Sequence, residues 1–417
     1  MMKIRTDTIY KSMLLCMIVL PILVVSVELN IIMSVLFSVV LLVDAKNRLP
    51  VKLLNLISPI LVILLISIVS SFFYPSQIYD IVKDFFYLLK PILFIIIGYY
   101  LVKKIKNKAF LFKLIIYSAV FFAFLHLIKV MSFLFENPFD INRLRNFAGK
   151  SNYIEMLALL LLFLNLGPSN FQITRYTRIF KYLILCSFIL YFSRTMFVGV
   201  LILFLSIKGY LKFNRRGLIY TTAIITAILL FYVYLFSIEI DRDKPGISTI
   251  FYKIKIAPSE IFSSEIDRNN AESLWDHWRG YEALKAFEQL KDTPYYSGLI
   301  FGKGLGSLVD LGFVAPLNEE GMQYVSPLHN GYAFIMYKAG FTGIVFFLIF
   351  ILYLYLQAYK KFHNINFYLI NNSLSGIAIY YVFTTLIING IYNQSDIITI
   401  ILGGLIFFQK HFSSKEI

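Results

Sequence analysis

Charge is scarce in this chain. Charged residues fill 15% of its 417 positions, against 59% hydrophobic and 17% aromatic, whereas a soluble domain carries about a quarter. That shortage excludes a soluble globular domain and makes lipid the expected solvent. Cysteine is rarer still. Cys16 and Cys186 both lie inside apolar runs, where a thiol packs as a small hydrophobe, so neither a disulfide framework nor a cysteine-based metal site is available. No small-x-small cleavage site follows the apolar run after Lys3, Arg5 and Lys11, so that run reads as a retained first helix rather than a secretory signal. There is also no internal repeat, which counts against the inverted-repeat architecture of many transporters. The formal charge of +15 does not imply nucleic acid as a partner. In a membrane protein basic residues first of all hold loops in the cytoplasm.

What the chain has in abundance is apolar segments of spanning length, about 20 residues for a bilayer core of roughly 30 Å. About twelve are found, near 13–27, 29–43, 53–73, 79–101, 110–135, 153–166, 179–192, 195–207, 217–237, 329–356, 367–388 and 396–409. The first two form one run broken by Pro21, Glu28 and Asn30, readable as a hairpin or as one long tilted helix. Charge favours the hairpin, because it puts the Lys3/Arg5/Lys11 and Lys46/Arg48/Lys52 clusters on one side. The same arrangement gathers Lys103/Lys104/Lys106/Lys108, Arg175/Arg178/Lys181, Lys208/Lys212/Arg215/Arg216, Lys360/Lys361 and Lys410/Lys415 on that side. The expected topology therefore has both termini in the cytoplasm. It divides the chain into N-terminal spans over 1–237, a large external loop over 238–328, and C-terminal spans over 329–417. The loop holds 14 of the chain's 24 acids against nine basic residues.

Cations left on the outer side run against the rule that shaped the rest. Arg143, Arg145 and Lys150, with Gly149, stand in a short polar linker, which reads either as a solvated loop meeting lipid phosphates or as an anion site. Arg194 sits at the tip of a tight hairpin with no polar stretch around it. Snorkelling to headgroups is one account. Its planar fork also suits phosphate oxygens without a metal, and ionisable residues at membrane depth are functional by default.

Within the loop, Glu272 to Lys291 reads as one amphipathic helix on the membrane surface, with Trp275, Trp278 and Tyr281 as interfacial anchors beside Arg279. The glycines of Gly302-x-Gly304-x-Gly306 lack phosphate-loop spacing and read as a flexible turn. His329 opens the tenth segment, either as a helix cap or as a general base. Lys338 lies nine residues further, about 13 Å into the membrane at 1.5 Å per residue, and needs a partner or a wet cavity. His126 and Lys129 pose the same question in the fifth segment.

In their order along the chain these pieces resemble the bacterial O-antigen polymerase and O-antigen ligase superfamily, over about 150–410. Arg145 with Gly149 and Asn152 is similar to the family's Arg-Gly-Asn linker, and Ser193-Arg194 with Gly199 to its Ser-Arg turn. Trp278-Arg279, the triple glycine, and His329-Asn330-x-Tyr332 followed by Ala339-Gly340-Phe341-Thr342-Gly343 complete the pattern. Lys338 departs from it, where an acidic or neutral residue is expected. The resemblance implies an all-α polytopic membrane protein with a membrane-embedded C-type glycosyltransferase fold and no metal or cofactor. It implies a place in the bacterial inner membrane, with the large loop periplasmic.

It further implies a Wzy-type polymerase of lipopolysaccharide biosynthesis. A growing glycan would pass from undecaprenyl diphosphate to the next lipid-linked repeat unit, with inversion, possible partners including a chain-length regulator. Arg194 and Arg279 would hold the diphosphate, Arg145 would join them, and His329 would be the base. The loop would close as a lid. An O-antigen ligase is the runner-up, and a flippase of lipid-linked sugars the alternative from another class.

Overall fold

A computed structural model describes residues 6–24, 26–46, 48–166, 176–240, 246–263, 266, 271–317, 321–361 and 364–413. Lys3, Arg5, Arg175 and Lys415 lie outside the described residues. The chain is overwhelmingly helical. Its first helices are α1 (Thr6–Leu23), α2 (Val27–Asp44), α3 (Val51–Ser71), α4 (Ile78–Lys104), α5 (Phe110–Glu136), α6 (Ile141–Ala148), α7 (Tyr153–Leu164), α8 (Thr177–Leu190), α9 (Arg194–Ile207) and α10 (Arg215–Ser237). In the loop follow α11 (Ile247–Lys255), α12 (Ala257–Phe262), α13 (Ala271–Asp276), α14 (Trp278–Lys291) and α15 (Ser297–Phe301). The chain ends on α16 (Gly331–Tyr355), α17 (Ile365–Ile388) and α18 (Ile398–Ser413).

Each of the twelve apolar segments is a helix or the larger part of one. Among the described residues six are long and apolar enough to cross a membrane, or seven if α6 and α7, bent by 95°, form one broken span. α1 and α2 form a hairpin, since the Tyr10 hydroxyl at the start of α1 reaches Asp44 at the end of α2 (2.7 Å). Lys104 pairs with the same Asp44 at 2.5 Å, and the Lys106 N–H bonds Asp7 at 2.8 Å. The ends of α1, α2 and α4 thus meet at one end of the bundle.

Asn and Asp side chains start many of the helices, accepting N–H groups that have no helical partner. Asp140 caps α6, Asn152 caps α7, Asn214 caps α10, Asn330 caps α16 and Asn364 caps α17. The core lies where α4 packs on α18, α3 on α16 and α9 on α17. At the first contact glycine is required. A Cβ at Gly98 would lie 1.9 Å from the Ile400 carbonyl oxygen, and one at Gly403 2.1 Å from that of Ile95.

The loop departs from the all-helical expectation by one element, an antiparallel pair β1 (Val309–Ala315) and β2 (Met322–Val325). The surface helix is also two helices, broken at His277. Trp278 and Tyr281 are buried rather than facing lipid, and only Trp275 is exposed. The apolar periodicity of this stretch reflects packing under β1, where the Tyr281 hydroxyl donates to the Leu311 carbonyl at 2.5 Å.

The glycine turn is a tight crossing. Gly340 interrupts α16 at φ +66°, and the freed carbonyls of Tyr337 and Lys338 accept the N–H groups of Lys303 (2.8 Å) and Gly304 (3.1 Å). The Lys338 ammonium bonds Asp84 of α4 at 2.5 Å, and that carboxylate also accepts the Gly306 N–H at 2.7 Å. Asp84 is the buried partner that Lys338 requires.

Candidate functional site

α14 carries Arg279 and Glu282 one helical turn apart, and residues at that spacing are neighbours on a helix surface. Arg279 Nη1 donates to Glu260 of α12 at 2.9 Å. Arg194, the first residue of α9, donates to the other oxygen of Glu260 at 3.1 Å and to the Lys253 carbonyl. Two cations 85 positions apart in the sequence therefore share one carboxylate.

Arg145 stands close enough to Arg194 for the two charges to repel, and its Nε is buried with no hydrogen-bond partner. Arg279 Nε is in the same condition. A fourth cation completes the group. Lys253 of α11 bonds Asn142 at 2.6 Å, and burial pushes its ammonium below the usual lysine range. Repulsion from Arg145 and Arg194 adds to that, while Glu260 and Asp276 oppose it. Four cations at one place with unspent donors suit a multiply charged anion, and Glu260 occupies part of the place such an anion would take.

His329 begins the other half. Asn330 takes the cap of α16, accepting from Tyr332 (3.0 Å) and Ala333 (3.2 Å), so the histidine is free of that task. Its Nδ1 lies 3.1 Å from Glu282 Oε2, and its backbone N–H donates to the same oxygen at 3.1 Å. Trp278 Nε1 donates to Glu282 Oε1 at 2.6 Å. The histidine side chain is 52% exposed and the glutamate 2%. With the carboxylate accepting, Nδ1 carries the proton and Nε2 keeps its lone pair toward the open side. That is the arrangement of an oriented general base.

Arg145, Arg194, Arg279 and His329 are thus gathered along one path: Arg145 beside Arg194, Arg194 and Arg279 on Glu260, and His329 on the glutamate one turn beyond Arg279. Glu260, Lys253 and Glu282 are additions that sequence reasoning missed, because the loop's acids and bases read there as topology signals. His126 stands apart, stacked on Tyr191 at 3.7 Å and bonded to Ser187 (2.9 Å), a packing role. Lys129 is exposed. No protein-family model matches this chain, and no curated protein matches it.

Proposed function

We propose that this protein is a membrane glycosyltransferase that lengthens a lipid-linked glycan, an O-antigen polymerase in type. The observation that carries the reading is the pairing, on one helix, of an arginine in a four-cation cluster with the glutamate that orients a solvent-facing histidine. An isoprenoid diphosphate and a sugar hydroxyl are the two reactants such a pairing serves.

In this reading the diphosphate displaces Glu260 and takes Arg194, Arg279, Arg145 and Lys253. His329 Nε2 removes the proton of the acceptor hydroxyl, and that oxygen attacks the anomeric carbon from the face opposite the leaving group. The anomeric C–O bond breaks, and undecaprenyl diphosphate leaves with the electron pair. The configuration inverts. Charge develops on the leaving phosphate just where fixed cations stabilise it, the kind of preorganised electrostatics that dominates many rate enhancements. Twelve spans in a C-type glycosyltransferase arrangement, both termini cytoplasmic and the loop periplasmic in the inner membrane, belong to the same proposal.

The oriented base favours an enzyme over a flippase, which needs the cations but no base. His329→Ala is expected to leave lipid-linked repeat units reaching the outer face and to abolish chain growth. Glycan of normal length in that variant overturns the assignment. A gene deletion separates polymerase from ligase: a core bearing a single repeat unit marks a polymerase, and full-length polymer stranded on undecaprenyl diphosphate marks a ligase.

A further inference from the structure

Glu260 ties Arg194 to Arg279, but the repulsion between Arg145 and Arg194 is borne by other parts of the chain. Two like charges side by side repel at every separation, so the elements that carry them must be clamped together.

The clamp is formed by α6, which carries Arg145, and by the turn at 191–193, which leads into Arg194. Leu144 and Ala148 of α6 form one apolar cluster with Val130 and Phe133 of α5, and Leu190 and Phe192, on either side of Tyr191, pack against it. Phe192 holds a left-handed backbone (φ 47°), which a bulky residue adopts only where its surroundings compel it. After α6 the chain passes Gly149 at φ +128°, where a Cβ would stand 3.4 Å from Tyr191 Cε1. Tyr191 thus lies against the linker of one arginine and three positions before the other.

Tyr191 is itself fixed twice. Its ring stacks on His126 at 3.7 Å, and His126 Nδ1 is bonded to Ser187 of α8 at 2.9 Å. Its hydroxyl donates to Glu155 Oε1 of α7 at 3.0 Å. Glu155 is wholly buried, and its Oε2 has no hydrogen-bond partner. An acid sunk in a span is costly and is kept for a purpose. Its bond to Tyr191 supplies one. Glu155 stands in the first turn of α7, where its N–H donates to the Asn152 cap that ends the Arg145 linker. The bond therefore ties the end of that linker to the turn that precedes Arg194.

We propose that Tyr191, anchored by Glu155 and His126, is a positioning residue that sets the spacing of Arg145 and Arg194. It touches no substrate. It acts through the two guanidinium groups, whose separation decides whether one diphosphate bridges both, because charge-assisted bonds depend on geometry as well as charge. The proposal rests on the diphosphate reading of the cation cluster.

The test uses the full chain purified in detergent and titrated with undecaprenyl diphosphate, with a melting temperature recorded for every variant. Tyr191→Phe and Glu155→Leu break the same bond from its two ends, and either one carries the test if the other fails to fold. Each is expected to weaken binding about three- to tenfold, the worth of one hydrogen bond. In an Arg145→Ala background neither should add a further loss, because the effect passes through Arg145. A bond that served stability alone would lower the melting temperature without that dependence.

Affinity unchanged in both variants, a loss of equal size with and without Arg145, or parental affinity in Arg145→Ala itself overturns the positioning role. A parent that does not bind undecaprenyl diphosphate overturns the diphosphate reading and this proposal together. Binding that ignores Tyr191 and Glu155 overturns the proposal alone.

Discussion

Replacing Glu282 by glutamine tests the orienting device with almost no change of shape. The carboxylate accepts from three donors: Trp278 Nε1 at 2.6 Å, the His329 backbone N–H at 3.1 Å and His329 Nδ1 at 3.1 Å. A glutamine has one acceptor oxygen with two lone pairs, and its amide group can only donate. The two His329 donors meet at Oε2 and Trp278 at Oε1, so the amide oxygen serves one side and the amide N–H group faces the other. With the oxygen kept by Trp278, the imidazole changes tautomer so that Nδ1 accepts, and the His329 backbone N–H loses its acceptor. The proton then sits on Nε2, the atom meant to receive one.

Loss of charge-assisted bonding costs stability by about 1.5–3 kcal/mol, readable as a lowered melting temperature in detergent. Loss of a correctly oriented base lowers turnover by roughly 10²–10⁴-fold. The assay is chain extension in proteoliposomes supplied with a lipid-linked repeat unit, read as a ladder on a gel. Glu282→Asp, which keeps the charge but shortens the reach, should recover part of the rate. Parental turnover in Glu282→Gln alongside a dead His329→Ala would refute the dyad.

Three further outcomes follow from the geometry. Arg194→Ala and Arg279→Ala each remove a charge-assisted contact and should weaken undecaprenyl diphosphate binding about tenfold or more, measured by titration in detergent; unchanged affinity in both removes the diphosphate site. Because burial lowers the Lys253 ammonium below the ordinary lysine range, its charge is present at low pH and lost as pH rises through that lowered value. Diphosphate affinity should therefore begin to fall at a pH below that at which an ordinary lysine loses its charge, and Lys253→Arg should flatten the profile; parallel profiles for the two proteins count against a role for Lys253. Asp84→Asn strands the Lys338 charge and should cost about 3–5 kcal/mol in unfolding, whereas Asp84→Leu with Lys338→Met should recover most of it; equal loss in the single and double variants contradicts a charge-pairing account.

Hydrophobic patterning reads locally, and so the helices were legible: a run of apolar residues states its own environment. The site was legible only in part. Arg194 and His329 stood out because each sits at the edge of an apolar run, where a charge or an imidazole needs a reason. Glu260 and Glu282 did not. Their partners lie 66 and 47 positions away, and pairing over such a separation leaves no periodic trace. Trp278 misled for the opposite reason. An amphipathic stripe records that one face is apolar, but not whether lipid or β1 covers it. The triple glycine was similarly ambiguous, since the same residue serves a loose turn and the closest of backbone contacts.

That glycine crossing gives the large loop a mechanical asymmetry. On its C-terminal side the chain is fastened to α16 by the N–H groups of Lys303 and Gly304 and to α4 through Asp84. On its N-terminal side α12 meets α14 and α9 through ion pairs at Glu260. Under the proposed reading, an anion that takes the arginines from Glu260 would release α12 from α9 and α14, while α14, with Arg279 and Glu282, keeps its bonds to His329. Loading the proposed cation site would then leave the proposed base in place.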